Sequence, residues 1–467
     1  MQSLNAISLI LIFLACTLLL LAYHIYFTKV GLSTNLVVQT PHKKLSHNKL
    51  LTLFACYGFQ LSDGVCFGVS LLWAVLFMTN NEETFYKQLD ALRRYQDCLP
   101  EKLRDIPMHS TSEEDALLLN FKYRIKKIIQ IQSPEEYPNI YRKHTWQADI
   151  DVILATINDP HHHVKRQFMH THAFKDRNDA KYIFSQLFTS LHQHKFVLLL
   201  SSHAHTIAIT IQGNQWLVLN TNSLYEHDLK YPYLRFNTDG MVDYLYTHFA
   251  AKLSRHLILS MDFIGKPHTP IDPNLRWLKA IAPLSATYQE GDNNTRLSFL
   301  SIAAFQGDMS AIRQGIKRGW GAFFHYHSSD SSPITLAISQ GRTEVFIALL
   351  NAAPHNLNIK RQCDKKSLLH LAVLSHTIDI VRYLLNLKKI NINSTDINGE
   401  TPLMISCTTL QSKTDDTIIR LLLAKGASIN IKSTSGKTVY DYAKDHSNPI
   451  ATKYLTEYNN ASFSCSF

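Results

Sequence analysis

Apolar residues along this chain change their rhythm several times. From Cys66 to about Met78 they form an apolar helical run. Glu83 to Leu99 and Glu113 to Ile131 show helical spacing with charged faces, and Pro100, Pro107, Pro134 and Pro138 punctuate them. Around residue 200 the pattern becomes strand-like. Phe196–Leu200 and Thr206–Ile211 read as one long strand, Gly213-Asn214 signals a hairpin turn, and Trp216–Leu219 returns. That turn places His205 opposite Asn222, with Asn220 diagonal on the same face. From residue 294 the pattern repeats itself. Segments opening at Ser298, Ser332, Ser367, Thr401 and Thr438 recur at spacings of 34, 35, 34 and 37 residues.

The first residues follow a different rule. Ala6 through Phe27 carry no charge and are long enough to span a bilayer, which predicts a hydrophobic, transmembrane-like helix within residues 1–30. No Lys or Arg precedes this stretch, while Lys29, Lys43, Lys44 and Lys49 follow it. The positive-inside bias then keeps the rest of the chain cytosolic. The alternatives are a cleaved signal peptide, which the missing basic n-region disfavours, and a helix packed on the following domain. Pro267, Pro270, Pro273 and Pro283 mark residues 266–293 as a connector. The expected organisation is therefore an α+β domain over 45–265, a linker, and a helical solenoid over 294–458.

Chemistry enters at Cys66. A cysteine at the start of a helix meets free N–H groups and the positive end of the macrodipole, which favour thiolate over thiol. Gln60, six residues earlier, could donate to a developing oxyanion together with the Cys66 backbone N–H. A buried core cysteine fits this segment equally well. Attack by a thiol also needs a histidine to take its proton and an amide or carboxylate to orient that histidine. His205 and Asn220 on the predicted hairpin supply both, with His203 the rival base on the same face. His161, His162, His163, His170 and His172 form a histidine-rich patch beside Pro160, read as a solvated loop and not as a metal site.

Composition narrows the partners. The net charge of +10 over 467 residues is modest and spread along the chain, with no arginine stripe or aromatic–basic interleaving, so no nucleic acid is expected. The seven cysteines are widely spaced and lack a CxxC pair, which suits free thiols in a reducing compartment. No cofactor is called for.

Two resemblances give these residues a context. Gly64–Ser70 and His205–Ile209 resemble the nucleophile and histidine motifs of papain-like cysteine proteases of bacterial effectors, the YopT/AvrPphB type. The resemblance implies a papain-like domain with Cys66 attacking, His205 shuttling the proton, Asn220 orienting the imidazole and Gln60 assisting the oxyanion. That family uses Asp where this chain has Asn220. The segments from Ser298 onward resemble the ankyrin repeat, whose period is about 33 residues with a Thr-Pro-Leu-His-x-Ala signature. About four to five repeats are expected, with divergent terminal ones acting as caps. Together the resemblances imply a secreted effector of an intracellular, Legionella-like bacterium. It would act at the cytosolic face inside a host cell, and as a thiol hydrolase on a host protein recruited by the repeats. The competing expectation is an inactive scaffold that binds host proteins through both domains.

Overall fold

Helices come first among the described residues: α1 (His47–Cys56), α2 (Cys66–Thr79), α3 (Glu82–Arg94), α4 (Leu99–Arg104), α5 (Glu113–Gln132), α6 (Pro138–Tyr141) and α7 (Ile150–Ile157). Ser46 and Ser112 cap α1 and α5 by accepting the N–H groups of Lys49 and Asp115. Helix α3 carries Glu82 and Glu83 in its first turn and Arg93 and Arg94 in its last, in the sense the macrodipole favours. It stops at Arg94, short of the expected Leu99, and Pro100 falls in the first turn of α4, where a missing N–H costs nothing. Helix α2 differs from the others, with eleven of its fourteen residues buried, so it has no face to give to water. It lies between α5 on one side and the strands β2 (Val197–Ser201) and β3 (Thr206–Gln212) on the other. Gly68 permits this closeness: a Cβ there would stand 2.3 Å from the Ile128 carbonyl oxygen of α5.

The sheet is completed by β1 (Lys165–Phe174), β4 (Gln215–Leu219), β5 (Leu234–Phe236) and β6 (Leu257–Gly265), in the order β1-β6-β2-β3-β4-β5, and every neighbour is antiparallel. Val197, Leu199, Ala208 and Leu217 face the cluster around α2. Leu198, Leu200, Ile207 and Ile209 face α8 (Arg177–Leu191) and α9 (Thr238–Phe249) on the opposite side. Coverage of both faces explains why these strands read as continuous apolar runs. The coordinates are a computed structural model, which describes residues 44–59, 64–141, 145, 147, 149–157, 164–202, 205–249, 257–267, 275, 277–278, 293–320, 332–409 and 415–464. The apolar stretch Ala6–Phe27, His161–His163 and most of the 266–293 connector lie outside the described residues. Among the described residues no helix is long and apolar enough to cross a membrane. Leu275 and Leu278, within the expected connector, are buried in the core beneath α8 and α9.

Two expectations fail here. Phe196–Ile211 is not one strand. β2 and β3 pair antiparallel, with Leu198 opposite Ile209 and Ser201 opposite Thr206, so the chain reverses between the two strands. His170 and His172 are not in a solvated loop. Both are buried on β1, in a ladder where Phe168 stacks on His170 and His172 meets Phe174 edge-on. Alternate residues of a strand share a face, which aligns these four rings. Burial lowers both histidines from their ordinary value near 6.5, His172 to about 3.

Residues 293–464 form helix pairs: α10 (Asn293–Gln306) with α11 (Met309–Lys317), α12 (Pro333–Ser339) with α13 (Thr343–Ala352), α14 (Leu368–Leu374) with α15 (Ile378–Leu385), α16 (Pro402–Ser406) with α17 (Thr417–Ala424), and α18 (Val439–Asp445) with α19 (Pro449–Ser464). Ser332, Ser367 and Thr401 cap the first helix of three successive pairs. Neighbouring pairs are tied by side chains. The Ser367 N–H donates to His370 Nδ1, which leaves Nε2–H to donate to the Glu400 carbonyl of the next pair. Asn358 and Asn393 accept the N–H groups of Asn391 and Ser428, one pair on. Residues 44–467 form a single compact unit. Helix α10 packs on β1 and β6, and Ala173 of β1 sits in the core of the helix pairs. The outward N–H of Thr171 on this edge strand donates to Asp308, the N-cap of α11.

Gly399 and Gly436 both hold left-handed turns, at φ +70° and +77°. A Cβ at Gly399 would lie 2.8 Å from the Thr434 nitrogen, whereas Gly436 has open space around it. Gly436→Ala should lose only the left-handed penalty, about 1–2 kcal/mol, and Gly399→Ala should lose more, read as a lower urea midpoint. Equal midpoints would contradict the packing of these loops. The buried histidines set an acid dependence. Neutral in the fold and protonated in the unfolded chain below pH 6.5, each withdraws up to about 1.4 kcal/mol per pH unit as the pH falls. The melting temperature should therefore drop between pH 7 and pH 5, and drop less in His172→Phe.

Candidate active site

Cys66 is the first residue of α2, and its N-cap, Val65, offers no side chain to the free N–H groups. Cys66 is half-buried, and the backbone N–H of Thr206, at the start of β3, favours its thiolate. Ser70, one helical turn along, donates to the Thr206 carbonyl at 3.3 Å. The start of α2 and the start of β3 are thus held together. His205 immediately precedes Thr206, at the reversal between β2 and β3. There the Ser202 N–H donates to the His205 carbonyl at 2.9 Å, and the His205 N–H donates back to Ser202 Oγ at 3.1 Å. Cys66 and His205 both line one cleft of about 440 Å³.

The second hairpin sets the orientation of His205. β3 and β4 pair in the register read from the turn, with Gln212 opposite Gln215 and Ala208 opposite Leu219. His205 Nε2 lies 2.9 Å from Oδ1 of Asn220, which is buried. The Asn222 backbone N–H also reaches that oxygen, at 2.9 Å, and the Asn220 amide nitrogen donates to Tyr244 Oη at 2.7 Å. A backbone N–H can only donate, so the atom facing it is the amide oxygen. His205 Nε2 must then carry the proton, and the lone pair of the neutral ring sits on Nδ1.

The electrostatics depart from the expected thiolate. Burial pushes the Cys66 thiol up from its ordinary 9.0, and the backbone N–H groups of Thr206, Phe67 and Cys66 itself only partly oppose this. Burial also lowers His205. His47 and His248 reinforce that, while the Asn220 hydrogen bond works against it. The resting pair is therefore thiol and neutral imidazole. The helix N-terminus is real, yet in this half-buried position it does not outweigh desolvation.

Gln60 and His203 lie outside the described residues. Several site residues were not singled out in the sequence. Tyr244 on α9 fixes Asn220. Gln132 at the end of α5 accepts the Gly68 N–H at 3.0 Å, and the Gln147 side chain donates to the Gln132 carbonyl at 3.1 Å. His47 bonds Thr221 Oγ1 at 3.1 Å through Nδ1, and a Cβ on Gly64 would stand 3.3 Å from its ring. No spacing signal marks these residues, because they come from four different segments of the chain. Among the described residues no group of histidine, cysteine and acidic side chains is placed to hold a metal ion.

The sequence was compared with known proteins. Residues 300–396 match a family model described as ankyrin repeats, in three copies, and residues 398–434 match a further ankyrin repeat. No curated protein matches the chain. The C-terminal part of this protein is an array of ankyrin repeats, a module that binds protein partners.

Proposed function

We propose that the chain is a papain-like thiol hydrolase whose protein substrate is recruited by its ankyrin repeats. The observation that carries this reading is the orientation of His205. Asn220 holds the proton on Nε2 and so leaves the ring lone pair on Nδ1, and His205 lines the same cleft as Cys66. A cysteine opening a central helix, packed on strands that present His and Asn, is the arrangement papain-like enzymes use. The likeness of Gly64–Ser70 and His205–Ile209 to bacterial effector peptidases supports a secreted protein acting at the cytosolic face of a host cell. Residues 6–27 would serve there as its membrane attachment.

Attack would proceed by general base catalysis from the neutral pair. The Cys66 thiol proton passes to His205 Nδ1 as sulfur bonds to the acyl carbon, and the carbonyl oxygen takes up negative charge. The Cys66 N–H, with Gln60, would stabilise that oxyanion. His205 then returns the proton to the departing amine. Water hydrolyses the thioester by the same route, with His205 as base. The raised thiol and lowered imidazole also favour a second reading, a scaffold in which this site binds without reacting.

Thiol-reactive probes separate the two. In resting protein at pH 7 the exposed Cys98 and Cys363 should alkylate with iodoacetamide faster than Cys66, and the Cys66 rate should still climb at pH 9. A peptidyl acyloxymethyl ketone, which needs the base, should label Cys66 and no other cysteine. His205→Ala should slow that reaction by about 10²–10⁴-fold. Asn220→Ala should slow it less and shift its acid limb. Labelling indifferent to His205 would favour the scaffold.

A further inference from the structure

We propose that the ankyrin array forms one wall of the catalytic cleft, where Gln306 and Gln340 hydrogen-bond the main chain of an extended polypeptide substrate. This rests on the thiol-hydrolase reading and names the substrate class of that same site. The cleft that holds Cys66 and His205 is also lined by Phe305, Gln306 and Gln340. These residues belong to the first two repeats, and their place is rigid. Arg342 bonds Asp149 at 2.6 Å and reaches the Phe305 carbonyl at 3.3 Å, while Asp308 caps both Thr171 of β1 and Ala311 of α11.

Gln306 and Gln340 stand apart from the other amides of the cleft. The Gln132 side chain accepts the Gly68 N–H, and the Gln147 side chain donates to the Gln132 backbone carbonyl. The Oε1 atoms of Gln306 and Gln340 are buried without a hydrogen-bond partner among the described residues, and Gln306 as a whole is only 7% exposed. An unpaired buried amide costs stability, so its retention points to a partner that arrives later. The two residues also occupy one repeat position. Each lies eight residues after the start of its repeat segment, Ser298 or Ser332, and each precedes a left-handed glycine, Gly307 or Gly341. In the repeats beyond the cleft the same position holds Ser375, Thr409 and His446. The glutamines are thus confined to the repeats that meet the cleft.

The chemistry selects a main chain. A carboxamide offers an acceptor and a donor side by side, the complement of a peptide unit. Helices in contact lie about 8–10 Å apart, and an extended chain rises about 3.3 Å per residue. Two amides one repeat apart therefore match peptide units about three residues apart. A substrate lying along this wall would run past Cys66 between the α+β region and the repeats.

The test uses the full chain and two reagents for Cys66. Iodoacetamide at pH 9 reads the thiol alone. A peptidyl acyloxymethyl ketone, compared with the same reactive group lacking the peptide, reads the wall. In wild type the peptide should accelerate labelling. Gln306→Leu with Gln340→Leu should cut that peptide-dependent rate about tenfold and leave the iodoacetamide rate as it was. Gln306→Leu alone should melt at or above the wild-type temperature, because it removes an unsatisfied polar group; a merely structural glutamine would lower it. Should Gln306→Leu fail to fold, Gln340→Leu at its partly exposed position carries the test. An unchanged peptide-dependent rate in the double variant, or no peptide advantage in wild type while iodoacetamide still labels Cys66, overturns the proposal and leaves the thiol reading standing. Failure of iodoacetamide to label Cys66 at all overturns the thiol reading itself.

Discussion

The enclosure of α2 is the constraint on which the rest of the structure depends. A helix with Leu71, Leu72, Trp73, Val75 and Phe77 around its circumference cannot rest on a surface. Each such side chain contributes about 1.5–3 kcal/mol when fully buried, so both sides must be filled. Helix α5 fills one side to the limit that Gly68 allows, and the sheet fills the other. Once α2 is held in this way, Cys66 is the one residue of its first turn left partly open to water. The Ser70 bond to Thr206 then leaves Cys66 beside the reversal that carries His205.

The same enclosure sets the chemistry. Desolvation acts on the charged form of each partner, raising the thiol and lowering the imidazole. The pair is neutral at rest, and in the proposed hydrolysis charge develops only during attack. What the fold supplies instead of a preformed ion pair is orientation. Asn220, gripped by the Asn222 N–H and Tyr244, holds the proton on Nε2 of His205. This network costs little, because every buried polar atom in it has a partner.

The repeats are more than an appendage. β1 is an edge strand, and an edge left open exposes unpaired N–H and carbonyl groups. Asp308 takes one of these N–H groups, α10 covers the strand and Ala173 joins the core of the repeats. Residues of the repeats thereby line the same cleft as Cys66 and His205.

Much of this was determined by local pattern. The repeat period and its capping serines and threonines follow from spacing. The Gly213-Asn214 turn decided the register that brings His205 and Asn220 together, and the apolar run beginning at Cys66 defined where α2 starts. These features are readable because turns, caps and helix starts depend on residues a few positions apart. Only the tertiary structure decided the remainder. The reversal between β2 and β3 carries no glycine or proline, and Ser202 and His205 bond each other across it. His170 and His172 are buried because distant elements cover their strand. The charge state of Cys66 depends on how much water the surrounding elements exclude, and the wall of Gln306 and Gln340 reaches it from more than two hundred residues away. Burial and long-range contact are properties of the packed chain, and no window of neighbouring residues contains them.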